Sequence, residues 1–76
     1  MHAFLEYVLR QLVDHPEEMI ITRTEGHKKV IFSLRLRPSD AGKVIGKQGH
    51  TIQAIRNLLS AAAERTGDRV VLELIE

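Results

Sequence analysis

The chain has 76 residues, of which 43% are hydrophobic and 28% charged, so it predicts one ordered domain over residues 1–76 rather than a disordered chain. It contains no cysteine, which excludes disulfides, thiol chemistry and cysteine-bound zinc or iron–sulfur sites. The first twelve residues include Glu6 and Arg10 and no long apolar run, so neither a signal peptide nor a membrane span is expected, and a cytoplasmic protein is the default.

The first half of the chain predicts a helix followed by a β-hairpin. Apolar residues recur at helical spacing over residues 2–14, and Asp14-His15-Pro16 ends this helix because proline disfavours the α conformation in the residue before it. Residues 19–24 are rich in β-branched side chains and predict a strand, and residues 25–28 predict a turn. Residues 30–37 alternate between apolar and polar, which predicts a second, antiparallel strand with one buried face.

The second half predicts two helices and a strand. Pro38-Ser39-Asp40 is typical of a helix start with a small polar cap, and this short helix stops at Gly46. A longer helix is expected from Gly49 to Arg65, closed by a left-handed Gly67, before a strand over residues 70–75. A right-handed crossover would lay that strand parallel to the second strand. The predicted fold class is α/β (α+β), in the order α-β-β-α-α-β, with a three-stranded mixed sheet and three helices on one face.

Residues 44–52, Val-Ile-Gly-Lys-Gln-Gly-His-Thr-Ile, carry most of the functional information. They predict a Gly-x-x-Gly turn between two helical segments. Gly46 and Gly49 allow a sharp turn and close approach of a partner, because no Cβ stands in the way. The second glycine also opens a helix, whose free amides and positive dipole end attract phosphate, and Lys47 adds a cation. This geometry suits a sugar–phosphate backbone better than a catalytic step.

The distribution of charge agrees with an anionic partner. Residues 35–56 hold five cations and one acid, a charge of +4, so the rest of the chain carries −3 to give the net charge of +1. The positive field is therefore centred on the Gly-x-x-Gly turn. The alternative is an ordinary solvated surface of mixed charge.

Other kinds of site are disfavoured. Gly42 to Gln48 is similar to a phosphate-binding P-loop, but it has three residues between its glycines instead of four, and Gln48 replaces the Ser or Thr that would hold magnesium. No Ser-His-Asp set or paired acids with a catalytic context appear, so no enzyme is predicted. The four histidines show no metal-ligand spacing, so no metal or cofactor is expected. His50, beside the turn, is expected to gain charge near a phosphate below about pH 6.5.

The turn between two helices, in this element order, resembles a type II KH domain. Residues 44–52 match its pattern of two aliphatic residues, Gly-x-x-Gly, two further residues and an isoleucine. The chain length and residues 12–18, Leu-Val-Asp-His-Pro-Glu-Glu, resemble the KhpA (YlqC) family of small single-domain bacterial KH proteins. The resemblance implies RNA binding, a homodimer, and a heterodimer with a larger KH-containing partner, KhpB (also called Jag or EloR). It also implies a role as an RNA chaperone or post-transcriptional regulator linked to cell division, elongation and cell shape.

The resemblance further implies that about four nucleotides of single-stranded RNA cross a groove, clamped by the turn. Lys47 and Gln48 would face the phosphates, and Ile45 and Ile52 would form an apolar floor under the bases. The other expected RNA contacts are Gly46, Gly49, Lys43, His50 and Arg56, with Arg37 as a further phosphate contact. The alternative is a protein-interaction module that pairs with a larger partner, with RNA contact incidental.

The long helix carries two apolar stripes. Ile52, Ile55, Leu59 and Ala62 are expected to face the core. A second stripe, which should reach solvent, consists of Ala54, Leu58 and Ala61, with Arg65 continuing it. Small residues flanking a leucine permit close approach of two helices, so this stripe predicts a twofold dimer. The alternative is that Leu58 packs beneath the first helix.

Overall fold

The computed structural model describes residues 2–75 and confirms the order α-β-β-α-α-β. Its elements are α1 (His2–Leu12), β1 (Ile20–Gly26), β2 (Lys29–Arg35), α2 (Pro38–Ile45), α3 (His50–Ala63) and β3 (Arg69–Ile75). Short 3-10 turns at Pro16–Glu18 and Lys47–Gly49 precede β1 and α3. No helix within residues 2–75 has both the length and the apolar character needed to cross a membrane.

The strands form one mixed sheet in the order β1-β2-β3, as predicted. β1 and β2 are antiparallel, and β2 and β3 are parallel. The pairing of β1 with β2 extends to Gly26 and Lys29, so the connecting turn is only His27-Lys28, shorter than expected. β3 is parallel because the two-helix crossover returns the chain to the end of the sheet where β2 begins.

The core lies between one face of the sheet and the three helices. Phe32 is fully buried at the centre of β2, and its register partner on β3 is the buried Leu72. The other buried hydrophobic residues around it include Leu5, Leu9, Val30, Leu34, Val44, Ile52, Ile55 and Leu59.

One prediction about the buried face of α3 is wrong. Ala63 is buried there and Ala62 is exposed. The buried positions 52, 55, 59 and 63 follow the 3.6-residue turn of the helix, whereas position 62 lies well to one side of that line.

The predicted cap of α2 is also wrong. Arg37 occupies the N-cap position and makes no side-chain cap hydrogen bond. Asp40, which is only 1% exposed, points toward the end of α1. Its carboxylate accepts hydrogen bonds from the backbone amides of Asp14 (3.1 Å) and His15 (3.0 Å). Asp40 therefore ties the end of α1 to the helix that leads into the Gly-x-x-Gly turn.

Candidate nucleic-acid interface

The backbone between α2 and α3 turns sharply at residues 46–49, called here the GKQG loop. Gly46 has φ 76° and ψ 176°, Gln48 has φ 57° and ψ 23°, and Gly49 has φ 76° and ψ 11°. The Gly49 amide donates to the carbonyl oxygen of Gly46 at 3.2 Å, which closes the turn. Three positive φ values within four residues require a local sequence rich in glycine.

The two glycines serve different purposes. A Cβ on Gly46 would lie 2.6 Å from the Cβ of Thr51 and 3.0 Å from its backbone nitrogen, so the first turn of α3 packs directly on Gly46. A Cβ on Gly49 would meet no atom within 4 Å. Gly46 is thus needed for the internal packing of the loop, while Gly49 faces open space that a partner can enter.

The side chains of the loop face solvent. Lys47, Gln48 and His50 are exposed. The two isoleucines expected to form an apolar floor differ: Ile45 is 37% exposed beside the loop, whereas Ile52 is 7% exposed and belongs to the core cluster. Only Ile45 therefore offers substantial apolar surface next to the loop.

An apolar pocket that the sequence analysis missed lies near the start of α2. It has a volume of about 340 Å³ and is lined by Leu36, Pro38, Ala41, Leu74 and Ile75. Ala41 precedes Ile45 by one helical turn, so the pocket and Ile45 share a side of α2. Ala41, one helical turn before Ile45, was the only local sign of this pocket in the sequence. Leu74 and Ile75, which complete the pocket, come from a strand about thirty residues later in the chain.

A longer and more polar groove separates α3 from β3. It has a volume of about 710 Å³, and β3 lines it from Arg69 to Ile75. The helical wall is formed by Gln53, Arg56, Asn57 and Ser60. These positions follow Gly49 at intervals of three or four residues, so this wall begins at the GKQG loop. Arg56 crosses the groove and donates from Nε and a terminal nitrogen to the carbonyl oxygen of Leu72, at 3.3 and 3.1 Å.

Ion pairing divides the predicted cationic residues into two groups. Lys43 pairs with Asp14 and lies 3.9 Å from Asp40, and Arg37 pairs with Glu18 at 3.2 Å. Within residues 2–75, Lys47 and Arg56 have no acidic group within 4 Å. Charge on the α1 side of α2 is therefore neutralised locally, and the two of these four cations without an acidic partner lie at the loop and on α3.

The second stripe of α3 is exposed. Leu58 is 53% exposed, and Ala54, Ala61 and Arg65 are exposed as well. The alternative in which Leu58 packs beneath α1 is therefore wrong. Whether a second copy covers the stripe stays a prediction.

The structure brings together one cluster that the sequence spacing did not suggest. One ring nitrogen of His15 and one carboxylate oxygen from each of Glu17 and Glu18 lie within 4.8 Å of one another. The 3-10 turn folds the two acids back toward the imidazole. A terminal nitrogen of Arg37 lies 3.2 Å from each ring nitrogen of His15 and from a Glu18 oxygen. The guanidinium thus already supplies the positive charge in this cluster.

Known proteins are similar in sequence to this chain over nearly its whole length. The family described as KhpA/KhpB, KH domain matches residues 2–74. The RNA-binding protein KhpA of Chlamydia pneumoniae is 46% identical over 76 residues, which cover 100% of this chain and 97% of that protein. Proteins with the same name from Clostridium acetobutylicum and Aquifex aeolicus are each 43% identical, over 99% and 95% of this chain and 100% and 91% of their own lengths.

No solved structure matches the chain significantly. The family match spans all three helices, the GKQG loop, β1, β2 and all of β3 except Ile75. Together with the full-length identity to its relatives, this match shows that the chain belongs to the KhpA/KhpB KH-domain family.

Proposed function

We propose that this protein is a small, non-catalytic, cytoplasmic RNA-binding protein that clamps the backbone of single-stranded RNA with the GKQG loop. The observation that carries the proposal is the loop itself, where exposed Lys47 and Gln48 precede a Gly49 that faces open space at the start of α3. The relatives' shared name, RNA-binding protein KhpA, supports the same conclusion.

Three features of the loop favour a phosphate. The start of α3 presents backbone amides and the positive end of the helix dipole. Lys47 has helical backbone angles, and Gln48 and Gly49 after it have left-handed ones. A helical residue followed by left-handed residues turns successive backbone amides toward one concave surface, which binds anions. The Lys47 ammonium adds a mobile charge without an acidic partner within 4 Å in residues 2–75. The loop would therefore hold the RNA backbone without reading its sequence.

The bases would lie against the surfaces next to the loop. Ile45 and the apolar pocket offer contact to the faces of unstacked bases, and Gln53 and Asn57 offer side-chain amides to their edges. Gln53 donates to Asn57 at 3.2 Å, so these amides already have each other as partners in the free protein. We therefore expect a broad sequence preference rather than a strict one.

A dimer would strengthen the binding. The stripe of Ala54, Leu58, Ala61 and Arg65 would form a twofold contact, and two linked grooves raise avidity when one RNA spans both. The exposure of Leu58 among small residues also favours a second candidate function, pairing with a larger KhpB-like (Jag/EloR) partner through the same stripe. In that case RNA chaperone activity or post-transcriptional control of cell division and elongation would depend on the heterodimer.

The first test is a titration of a fluorescent pool of single-stranded RNA at two salt concentrations. The variant carries Lys47→Asp with Gln48→Asp, which places two acids where phosphate must lie. Arg10→Asp with Gln11→Asp makes the same change of charge on exposed neighbours in α1 and is the matched control. We expect salt-sensitive binding by the wild type and the control, and none by the loop variant.

Three results would contradict the proposal. They are no binding by the wild type at about 100 µM, unchanged binding by a folded loop variant, and equal losses in the variant and the control. The first would favour the protein-pairing function.

A further inference from the structure

One face of the sheet lies on the side away from the helices. The residues of β2 that are buried in the core alternate with residues that point to the other side. These outward residues are Lys29, Ile31, Ser33 and Arg35, and together with their register partners on β1 and β3 they form the surface called here the open face. The open face is thus separated from the GKQG loop and from α3 by the thickness of the sheet and core.

The centre of the open face is aliphatic. Ile31 and Val71 are register partners on the two parallel strands, and both are half-buried. Val70 and Leu74, which point the other way from β3, pack against the core cluster instead. Strands of parallel sheets that are covered on both sides have nearly continuous hydrophobic sequences, and residues 70–75, Val-Val-Leu-Glu-Leu-Ile, are of this kind. The composition of β3 is therefore that of a strand covered on both sides, although the helices cover it on one.

A shallow cavity marks one end of the open face. It has a volume of about 200 Å³ and is lined by Ile20, Thr22, Ser33, Arg35 and Ile75, which come from all three strands. Ile20 is 55% exposed and Ile75 is 39% exposed. An aliphatic side chain of a partner that entered this cavity would remove both isoleucines from water.

Cations stand at both ends of the aliphatic centre. Lys29 and Arg69 are exposed register partners at one end, and Arg35 lies about 20 Å from them along β2, at the other. Within residues 2–75, none of these three cations has an acidic group within 4 Å. Glu73 is the one acid on the open face in this part of the chain. The open face therefore attracts a partner that carries negative charge at both ends of an apolar surface.

The dimensions of the open face fit one helix. The two outer strands of the sheet lie about 10 Å apart, and the cationic ends lie about 20 Å apart. An α-helix with its side chains is about 10 Å wide, and about 13 residues of helix span 20 Å. A helix laid along the strands would also give the parallel pair of β2 and β3 the cover on both faces that such pairs usually have.

Two other occupants fit the open face less well. A second copy of this chain has no helix with acids at both ends, because α3 contains no acid, Glu6 of α1 pairs with Arg10, and Asp40 of α2 is buried. Two open faces, each with three cations and one acid, would repel each other. An RNA strand would place its sugars and phosphates over the aliphatic centre, and the open face has no aromatic ring on which bases could stack.

We propose that the open face docks an acidic amphipathic helix of another protein. The apolar stripe of that helix lies on Ile31 and Val71, and one aliphatic side chain enters the cavity. Acids at one end of the helix pair with Lys29 and Arg69, and acids at the other end pair with Arg35. The contact area is that of a single helix, which places the complex among weak, transient interactions. The inference goes beyond RNA binding and does not depend on it, because the GKQG loop lies on the other side of the sheet.

The probe for this proposal is a synthetic peptide of about 14 residues, which is long enough to span the open face as a helix. A side-chain lactam bridge keeps it helical, leucines form its apolar stripe, and glutamates occupy both ends. A matched peptide carries lysines in place of the glutamates. Each peptide is titrated into the isotope-labelled protein, and the amide chemical shifts are followed by NMR. We expect the acidic peptide to shift the amides of Ile31, Ser33 and Val71 in a saturable way and to leave the GKQG loop unchanged, and the lysine peptide to cause no such shifts.

Two variants of the open face test its parts separately. Lys29→Glu with Arg69→Glu should weaken binding of the acidic peptide at least about tenfold, because both cations become acids. Arg10→Glu with Arg23→Glu makes the same change of net charge away from the open face and should keep the wild-type affinity. Ile20→Ser changes a side chain that is 55% exposed, so the protein should fold, but the cavity loses apolar contact and the affinity should fall about fivefold.

Several results would overturn the proposal. They are no shift on the open face at peptide concentrations up to about 1 mM, shifts confined to the GKQG loop or α3, and equal losses of affinity in the Arg10→Glu/Arg23→Glu control. Shifts on the open face when the protein alone is diluted would assign this surface to a second copy. Shifts there when oligouridine is added to the Lys47→Asp/Gln48→Asp variant would assign it to RNA, and either result would remove the helix.

The RNA clamp and the open face fail independently. The Lys47→Asp/Gln48→Asp variant should bind the acidic peptide as the wild type does, even though it no longer binds RNA. Loss of peptide binding in that folded variant would contradict a docking surface on the far side of the sheet.

Discussion

Gly46 and Gly49 have equivalent places in the sequence motif, but the structure predicts unequal costs when each is replaced by alanine. Gly46 has φ 76° and ψ 176°, a region that essentially only glycine occupies, and a side chain there costs about 1–3 kcal/mol in strain. Contact of the new Cβ with Thr51 adds about 1–3 kcal/mol of overpacking. Gly49 has left-handed helical angles and open space, so Gly49→Ala should cost only about 1–2 kcal/mol.

The assay is urea unfolding followed by circular dichroism, at one fixed protein concentration because self-association would shift the midpoint. The variants are Gly46→Ala, Gly49→Ala, and each of these combined with Thr51→Gly. Thr51→Gly removes the hydroxyl and the Cβ that a side chain at position 46 would meet. It should therefore reduce the cost of Gly46→Ala by about 1–2 kcal/mol and leave the cost of Gly49→Ala unchanged.

Two outcomes would refute this reasoning. Equal losses of stability in the two glycine variants would mean that the packing of α3 on Gly46 is not limiting. Strict additivity between Gly46→Ala and Thr51→Gly would mean that backbone strain alone sets the cost, with no contribution from the Thr51 side chain.

Further predictions concern the dimer and the contact between α1 and α2. Leu58→Glu should give a folded monomer in sedimentation experiments, because it places charge in the proposed twofold contact; a dimer of unchanged stability would contradict that interface. Asp40→Asn should lower the free energy of unfolding by about 2 kcal/mol, because one of the two amides then faces an NH2 donor and the other keeps only a neutral acceptor; an unchanged urea midpoint would be incompatible with this contact.

The sequence was enough to predict the element order, the mixed sheet and the GKQG loop. These features depend on signals within a few residues: the period-two alternation of β2, the helical spacing of α1 and α3, and glycines that permit positive φ. The parallel pairing of β3 followed from the handedness of a two-helix crossover, which is nearly independent of side chains. Local signals define the ends of the elements less well. α3 ends two residues earlier than predicted, and β1 extends two residues further.

Only the tertiary structure decided how the charged groups are used. Asp40 bonds to amides 25 and 26 residues away, and Lys43 pairs with Asp14 at a separation of 29 residues. Such contacts depend on how α1 packs against α2, which no local pattern in the sequence encodes. Because Lys43 is paired with Asp14, its charge is not available to a ligand at the loop. The packing of α3 against β3 likewise creates the groove, and the pairing of β3 with β2 brings Arg69 next to Lys28 and Lys29. The sequence alone thus determined where the backbone turns, and long-range packing determined which cations remain available to a ligand.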